Sequence, residues 1–433
     1  DSYTLHNLLY GAVFNHRLAG TKTNCQTVVT TNFQMTATDF STWKMVTIRP
    51  PAAGEATTKF YDLPTLRSAT ELVVNTPHPG FFTTPAFNAN WPTNTSNQMR
   101  VTLNQSLIVA TGMAIDGNDT TSPPTTPGLD ATHSAPGSAC YGCHQLLDPT
   151  RSILQSTYSY YYYPQSDPTM VSQKGLFAFQ GVVKPVATID DFAATLATHP
   201  LVPAAWAQKL CYWVNSSACA TDDTEFQRVV GVFQSSGLQW NALVHELLTS
   251  PIVTNTVETR TTAENGEVVA VSRRDHLCAA LNNRLGLVDV CGLDVVNPKK
   301  VTNNIPAIVG GLPSDGYGRG SPIPVLPNQP TLFYRAGIEN ICEAVSQMVI
   351  DAAPTAAQPS AKVWSSSSPN AAIADFVSTV MALTSSDPRA SAANQILTQH
   401  FTAAQAQGAS ASDALKSTFV TACLAPSAIG IGL

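Results

Sequence analysis

The sequence predicts a mainly α-helical protein of several domains, its helices separated by long irregular loops. Apolar residues recur at helical spacing through much of the chain, most densely in its last third. Stretches rich in Pro, Gly, Asn, Ser and Thr interrupt that pattern at 83–96, 116–138 and 293–330. The 433 residues, 44% of them hydrophobic, suffice for more than one core at about 100–200 residues per domain. The expected division is an N-terminal helical and irregular domain over 1–115 and a central domain over 116–200. A helical domain over 201–258 and a mainly helical C-terminal domain over 259–433 complete it.

Residues 1–60 read as irregular or strand-like, with short apolar stretches such as Met45-Val46-Thr47-Ile48 set among threonines. Helical patterns follow around Leu66, Leu72 and Val73, then around Val101, Leu103, Leu107 and Ile108. The polar run 116–138 is a loop, long enough to be functional or mobile. A helix is expected over Gln145–Gln155, then a cluster of tyrosines at 158 and 160–163 closed by Pro164. Further helices are expected at 202–214, 223–235 and 239–249, the last stopped by Ser250-Pro251. After a polar connector over 254–272, helices are expected at 273–287, 331–352, 370–384, 390–405 and 411–424.

Composition narrows the function. Only 12% of residues are charged, about half the usual share of roughly 25%. Ser, Thr, Asn and Ala fill the gap, as is common in secreted bacterial proteins. A net charge of -6 offers no basic surface to nucleic acid or anionic membrane. No apolar run approaches the roughly 18 residues of a membrane span. Asp1 opens directly on folded-looking sequence, so the expectation is an exported bacterial protein whose export signal has been removed. It would reside in the periplasm, on the outer surface or outside the cell.

Nine cysteines agree with an oxidising location. Spacing suggests local bridges Cys211–Cys219 and Cys278–Cys291, a long closure Cys342–Cys423, and Cys25 left over. The alternative is that several are simply buried small hydrophobes.

The remaining two cysteines carry the chemistry. Cys140-Tyr141-Gly142-Cys143-His144 is CxxCH, the attachment string of c-type haem. Two thiols at this spacing can each add to a haem vinyl group, and the adjacent imidazole can take the iron. Zinc is a competing reading, but it needs further Cys or His ligands at suitable spacing, and no second CxxC exists. A thioredoxin-like CxxC usually opens a helix after a strand, whereas a Pro/Ser/Gly loop precedes this one. One covalently attached haem is therefore expected in the central domain.

The string Ala139 to Leu154 (ACYGCHQLLDPTRSIL) resembles the planctomycete-type secreted single-haem c-type cytochromes, whose domains are filed mostly as of unknown function. Gly80 to Arg100 is similar to that family's segment before the haem, and Trp206 to Pro251 to its helical domain after it. The resemblance covers about residues 60–255. It implies an exported monohaem cytochrome. The chain departs from the family pattern at Thr84 and Trp91, where histidines are frequent, and at Thr150-Arg151, where a glycine often follows Asp-Pro.

The sixth iron ligand is open on sequence grounds. Met99, Met113 and Met170 are the nearest methionines, and His78, His133 and His199 the comparable histidines. Met170 leads, because it lies in a loop shortly after the motif and thioether ligation raises the haem potential relative to histidine. A vacant site and ordinary core packing of each methionine are the alternatives. The short tether between His133 and the motif argues against its wrapping to the opposite haem face. The cofactor-binding set is thus Cys140, Cys143, His144, Met170 and Arg100, with His144 and Met170 on the metal. Arg100 and Arg151 are candidates to pair with haem propionates, because a guanidinium fork matches a carboxylate. The haem's bulk should also draw Leu147, Ile153, Leu154 and Phe177 into one core.

The expected function is electron transfer with a separate redox partner protein. The alternatives are a haem-dependent peroxidase or oxygenase acting on an extracellular substrate, and a structural protein that self-assembles or joins a partner chain. A two-haem peroxidase would need a second CxxCH. No G-x-S-x-G elbow or phosphate-binding glycine loop suggests other chemistry.

Overall fold

A computed structural model of the chain describes residues 2–3, 36–157, 175–292 and 305–431, with short gaps, chiefly 75–78, 84–86, 88–90 and 92–98. Cys25, His78, Met170 and the tyrosines at 158–163 lie outside the described residues. The protein is mainly helical, and its strands form two-stranded pairs. The chain divides into two compact units, 1–209 with 318–322, and 210–317 with 323–433. That is a coarser division than the four segments read from the sequence. Among the described residues, no helix is long and apolar enough to cross a membrane.

In the first unit the core gathers on two helices, Arg100–Thr111 and Tyr141–Thr157, and on the hairpin Gly175–Phe179 with Val182–Val186. Leu103, Leu107, Leu147, Ile153, Leu154 and Phe177 share one buried cluster. The four residues expected to join a core beside the motif are all among them. A third helix, Ile189–Ala197, adds Phe192 and Leu196 and starts on a capping box between Thr188 and Asp191. Reciprocal bonds there satisfy two of the backbone N–H groups that a helix start leaves orphaned.

The hairpin has no warning in the sequence. Its turn residues Gln180 and Gly181 both adopt positive φ, 47° and 78°, the handedness that matches the twist of a two-residue hairpin. Glutamine is an unusual occupant of the left-handed region. The loop before the motif supports it: the Gln180 N–H donates to Asp119 Oδ2 at 2.8 Å, and the Gly181 N–H to Thr121 Oγ1 at 2.7 Å. The 116–138 loop is thus pinned at one end to the hairpin.

A further difference concerns a strand. Leu72 and Val73, read as helical, lie in the strand Glu71–Val73, which pairs in parallel with Thr47–Arg49; only Leu63–Ser68 is helical there. Asp62 caps that short helix, and Pro64 stands in its first turn. The β-branched and apolar run Leu72-Val73-Val74 suits a pleated strand, and the helical reading placed the boundary too far along.

The second unit holds the helices expected for it, including Thr224–Ser235, Trp240–Leu248, Arg274–Leu285, Leu332–Val349, Ala390–Ala406 and Ala411–Cys423. The expected 370–384 helix becomes Pro369–Asp375 followed by a π-turn at Phe376–Val380. Disulfides join Cys211 to Cys219, Cys278 to Cys291 and Cys342 to Cys423. These are the three pairs that spacing suggested. Trp364, Phe376 and Phe419 meet edge-on or tilted at its centre.

The motif helix lies against the hairpin with no room to spare. Thr150 Oγ1 donates to the Leu176 carbonyl at 2.9 Å, and a Cβ added at Gly175 would stand 2.5 Å from Ile153 Cγ1. Ile153 is fully buried and cannot yield. Gly175→Ala should therefore cost about 1–3 kcal/mol through overpacking. Urea unfolding with an unchanged m-value and a lowered midpoint is the expected result.

Candidate functional site

The CxxCH motif opens the Tyr141–Thr157 helix, and the His144 N–H closes the first turn on the Cys140 carbonyl at 3.1 Å. Cys140 is exposed and Cys143 half-buried, and neither is in a disulfide. One helical turn separates the two thiols, and the imidazole follows directly. Gly142 lets the preceding loop come close: a Cβ there would lie 3.7 Å from the Gly117 backbone. Burial first, then the charges of Asp116 and Cys140, push the Cys143 thiol up. A redox-active or metal-binding cysteine needs the opposite shift, toward thiolate.

Behind the motif stands Asp148, whose side chain is fully buried. Four residues along a helix share one face, and here that spacing places His144 Nδ1 at 3.3 Å from both Asp148 oxygens. A carboxylate accepts only, so the imidazole must carry its proton on Nδ1, which leaves Nε2 with a free lone pair. Burial pushes the His144 imidazole below its ordinary value against the pull of Asp148. Burial thus favours the neutral ring.

Asp148 is held in turn by two arginines. Arg100 Nε donates to Oδ1 at 2.8 Å and Arg100 Nη2 to Oδ2 at 3.0 Å, while Arg151 Nε lies 3.2 Å from Oδ1. Asp130, in the loop before the motif, completes the set. It accepts from Arg100 Nη2, and from Arg151 Nη2 at 3.0 Å. Its own N–H points at Asp148 Oδ2 at 3.4 Å. Burial raises the Asp130 carboxyl, but the bond from Arg100 and the charges of Arg151 and Arg100 outweigh it and hold the group below its ordinary value. Two cations and two anions make the cluster neutral, as a buried ionic group must be if it is to persist.

Arg100 and Arg151 are the residues expected to pair with haem propionates. Both are turned onto Asp130 and Asp148, and the Arg151 side chain is only 1% exposed. Asp130, Asp148 and the stacking of His133 on His144 were missed by the sequence reading. A signal for one existed: CHxxxD places a carboxylate one turn after the histidine. The others come from contacts across long stretches of chain.

The other sixth-ligand candidates can be located in part. Met99 is fully buried in the first unit's core. Met113 lies just after the Arg100–Thr111 helix, partly exposed. His199 is buried, accepting at Nδ1 from the Leu201 N–H and donating from Nε2 to the Phe179 carbonyl, both at 3.3 Å. His133 stacks on the His144 ring, centroids 3.9 Å apart and planes 9° apart. It therefore stands beside the motif imidazole rather than across from it.

The donor atoms of His133, His144 and Asp148 fall within 4.8 Å of one another, close enough to suggest a metal ion. The arrangement suits one poorly. Stacked parallel rings aim their lone pairs side by side instead of at one point, and the Asp148 oxygens already serve two guanidinium groups. A dication would unbalance a neutral cluster. No family model, no curated protein and no solved structure matches the chain.

Removing one buried partner should expose the cluster's structural weight. Arg151→Met is expected to cost about 3–5 kcal/mol, the usual penalty for stranding a buried charge. Asp130 sits below its unfolded value, so its share of stability is complete above that value and lost as pH falls through the folded one. The variant should show a smaller acid-side loss, measurable as urea midpoints between neutral and strongly acidic pH.

Proposed function

We propose that the chain is an exported monohaem c-type cytochrome of the planctomycete-type single-haem family, and that it carries out electron transfer. One observation carries the reading. Two unpaired thiols sit one helical turn apart, next to an imidazole whose Nδ1 is tied to a buried carboxylate and whose Nε2 is free. All six other described cysteines pair. An oxidising location suits those pairs, and thiols left unpaired there need another partner.

Cys140 and Cys143 would each add across a vinyl group, the sulfur bonding one carbon and the thiol proton ending on the other, with no oxidant required. His144 would offer Nε2 to the iron. A haem so attached supplies a one-electron couple whose potential depends on ligand identity, hydrogen bonding and burial. The chain's own part is to hold the imidazole, exclude water through the Leu147–Phe177 core, and present the exposed Cys140 side to a redox partner. Met170 remains our candidate for the sixth ligand.

Haem staining on a denaturing gel tests the attachment, with the full chain exported from a host that matures c-type cytochromes. The wild type should stain and the Cys140→Ala/Cys143→Ala double variant should not. Stain retained by the double variant would refute covalent attachment through the motif.

A second reading, haem-dependent oxidation of an extracellular substrate, draws on the same Asp148 contact, since an electron-rich proximal imidazole favours oxidised iron. The ferrous spectrum with carbon monoxide separates the two. Electron transfer with Met170 bound predicts no shift, together with a weak thioether band at the red edge of the ferric spectrum that disappears in Met170→Ala. A prompt shift, with cyanide binding to the ferric protein, would favour oxidation.

A further inference from the structure

We propose that Asp148 is a positioning residue that sets both the orientation and the donor strength of His144, and that Arg100 and Arg151 limit how strongly it does so. The inference rests on the haem reading above and assigns roles to residues around the attachment motif.

A ligating histidine is controlled by what its second nitrogen bonds. At His144 that partner is a carboxylate with no exposed surface, and it has the ring nitrogen within 3.3 Å of both oxygens. A carbonyl would only orient the ring. A carboxylate also draws the Nδ1 proton toward itself and makes Nε2 a stronger donor. A stronger donor stabilises ferric over ferrous iron and lowers the reduction potential.

The arginines work against this. The Arg100 contacts to Asp148, 2.8 and 3.0 Å, are shorter than those of His144, and Arg151 adds a third at 3.2 Å. The carboxylate's charge is therefore shared, and the histidine receives the remainder. A structural purpose alone fits this arrangement poorly. Arg100 occupies the first residue of a helix, where the dipole disfavours a cation. Burying an ion pair is generally no more stabilising than apolar packing of the same volume. Three residues from two helices, with Asp130 from the loop, converge on one carboxylate behind one imidazole.

Two readouts on the haem-loaded full chain, labelled with nitrogen-15 in histidine, test the proposal. In the ferrous wild type the His144 Nδ1–H resonance should lie far downfield and exchange slowly with water. Asp148→Asn should move it upfield and raise the midpoint potential. Arg100→Gln leaves Asp148 in place and removes its strongest competitor, so it should move the resonance further downfield and lower the potential. A resonance unmoved in folded, haem-stained Asp148→Asn would overturn the proposal, as would rapid exchange in the wild type. Should Asp148→Asn fail to fold, wild-type exchange and the direction of the Arg100→Gln shift decide alone. Failure of the haem reading is separate, because a wild type that does not stain has no ligated histidine to observe.

Discussion

The first unit is organised around a single buried carboxylate. Asp148 accepts from Arg100 and His144 and forms an ion pair with Arg151, and the Asp130 N–H points at it. Two of these contacts tie other pieces of chain to the motif helix: Arg100 brings the start of the Arg100–Thr111 helix, and Asp130 brings the long loop. An unpaired carboxylate in that position would cost several kcal/mol, so these pieces are constrained to arrive together.

That constraint changes the character of the loop. From composition alone, 116–138 is a Pro-, Ser- and Thr-rich connector. In the fold it bridges two anchors: Asp119 and Thr121 hold the hairpin turn, and Asp130 enters the ionic cluster. Just before the first anchor, the backbone at Gly117 passes close to Gly142. The acidic residues scattered through the segment are the means of attachment. A loop built this way can carry Asp116 up to Cys143 and His133 onto His144, which an unanchored one could not do reproducibly.

What the sequence made legible follows the range of the interactions involved. Helices set by local periodicity were readable, and the span 202–214 agrees residue for residue with Val202–Val214. The disulfides were readable because two of the three close short loops, and the third follows once Cys25 is set aside. The hairpin was not, since its turn is Gln180-Gly181 rather than a recognised Asn-Gly or Asp-Gly, and its support comes from 60 residues away. The parallel pairing of Thr47–Arg49 with Glu71–Val73 is likewise a tertiary fact. At the site, CxxCH was plain to see, whereas Arg100 and Asp148 lie 48 residues apart and meet only in the fold. Arg100 was singled out for its charge, and its partner could not be named from spacing.

The cysteines bring these strands together. The pairing of all six other described cysteines is compatible with an exported protein. Cys140 and Cys143 sit at the spacing of redox-active CxxC pairs and at a helix start, where thiolate formation is usually favoured. Yet Cys143 is pushed the other way, by burial and by the neighbouring Asp116. The loop that delivers Asp116 is the one anchored through Asp130 to the cluster behind His144. The same architecture therefore disfavours the thiolate at Cys143 and orients the imidazole with Nδ1 on Asp148. On the haem reading proposed above, thioether attachment would use both the thiols and the oriented imidazole, so that the two halves of the motif would act as one site.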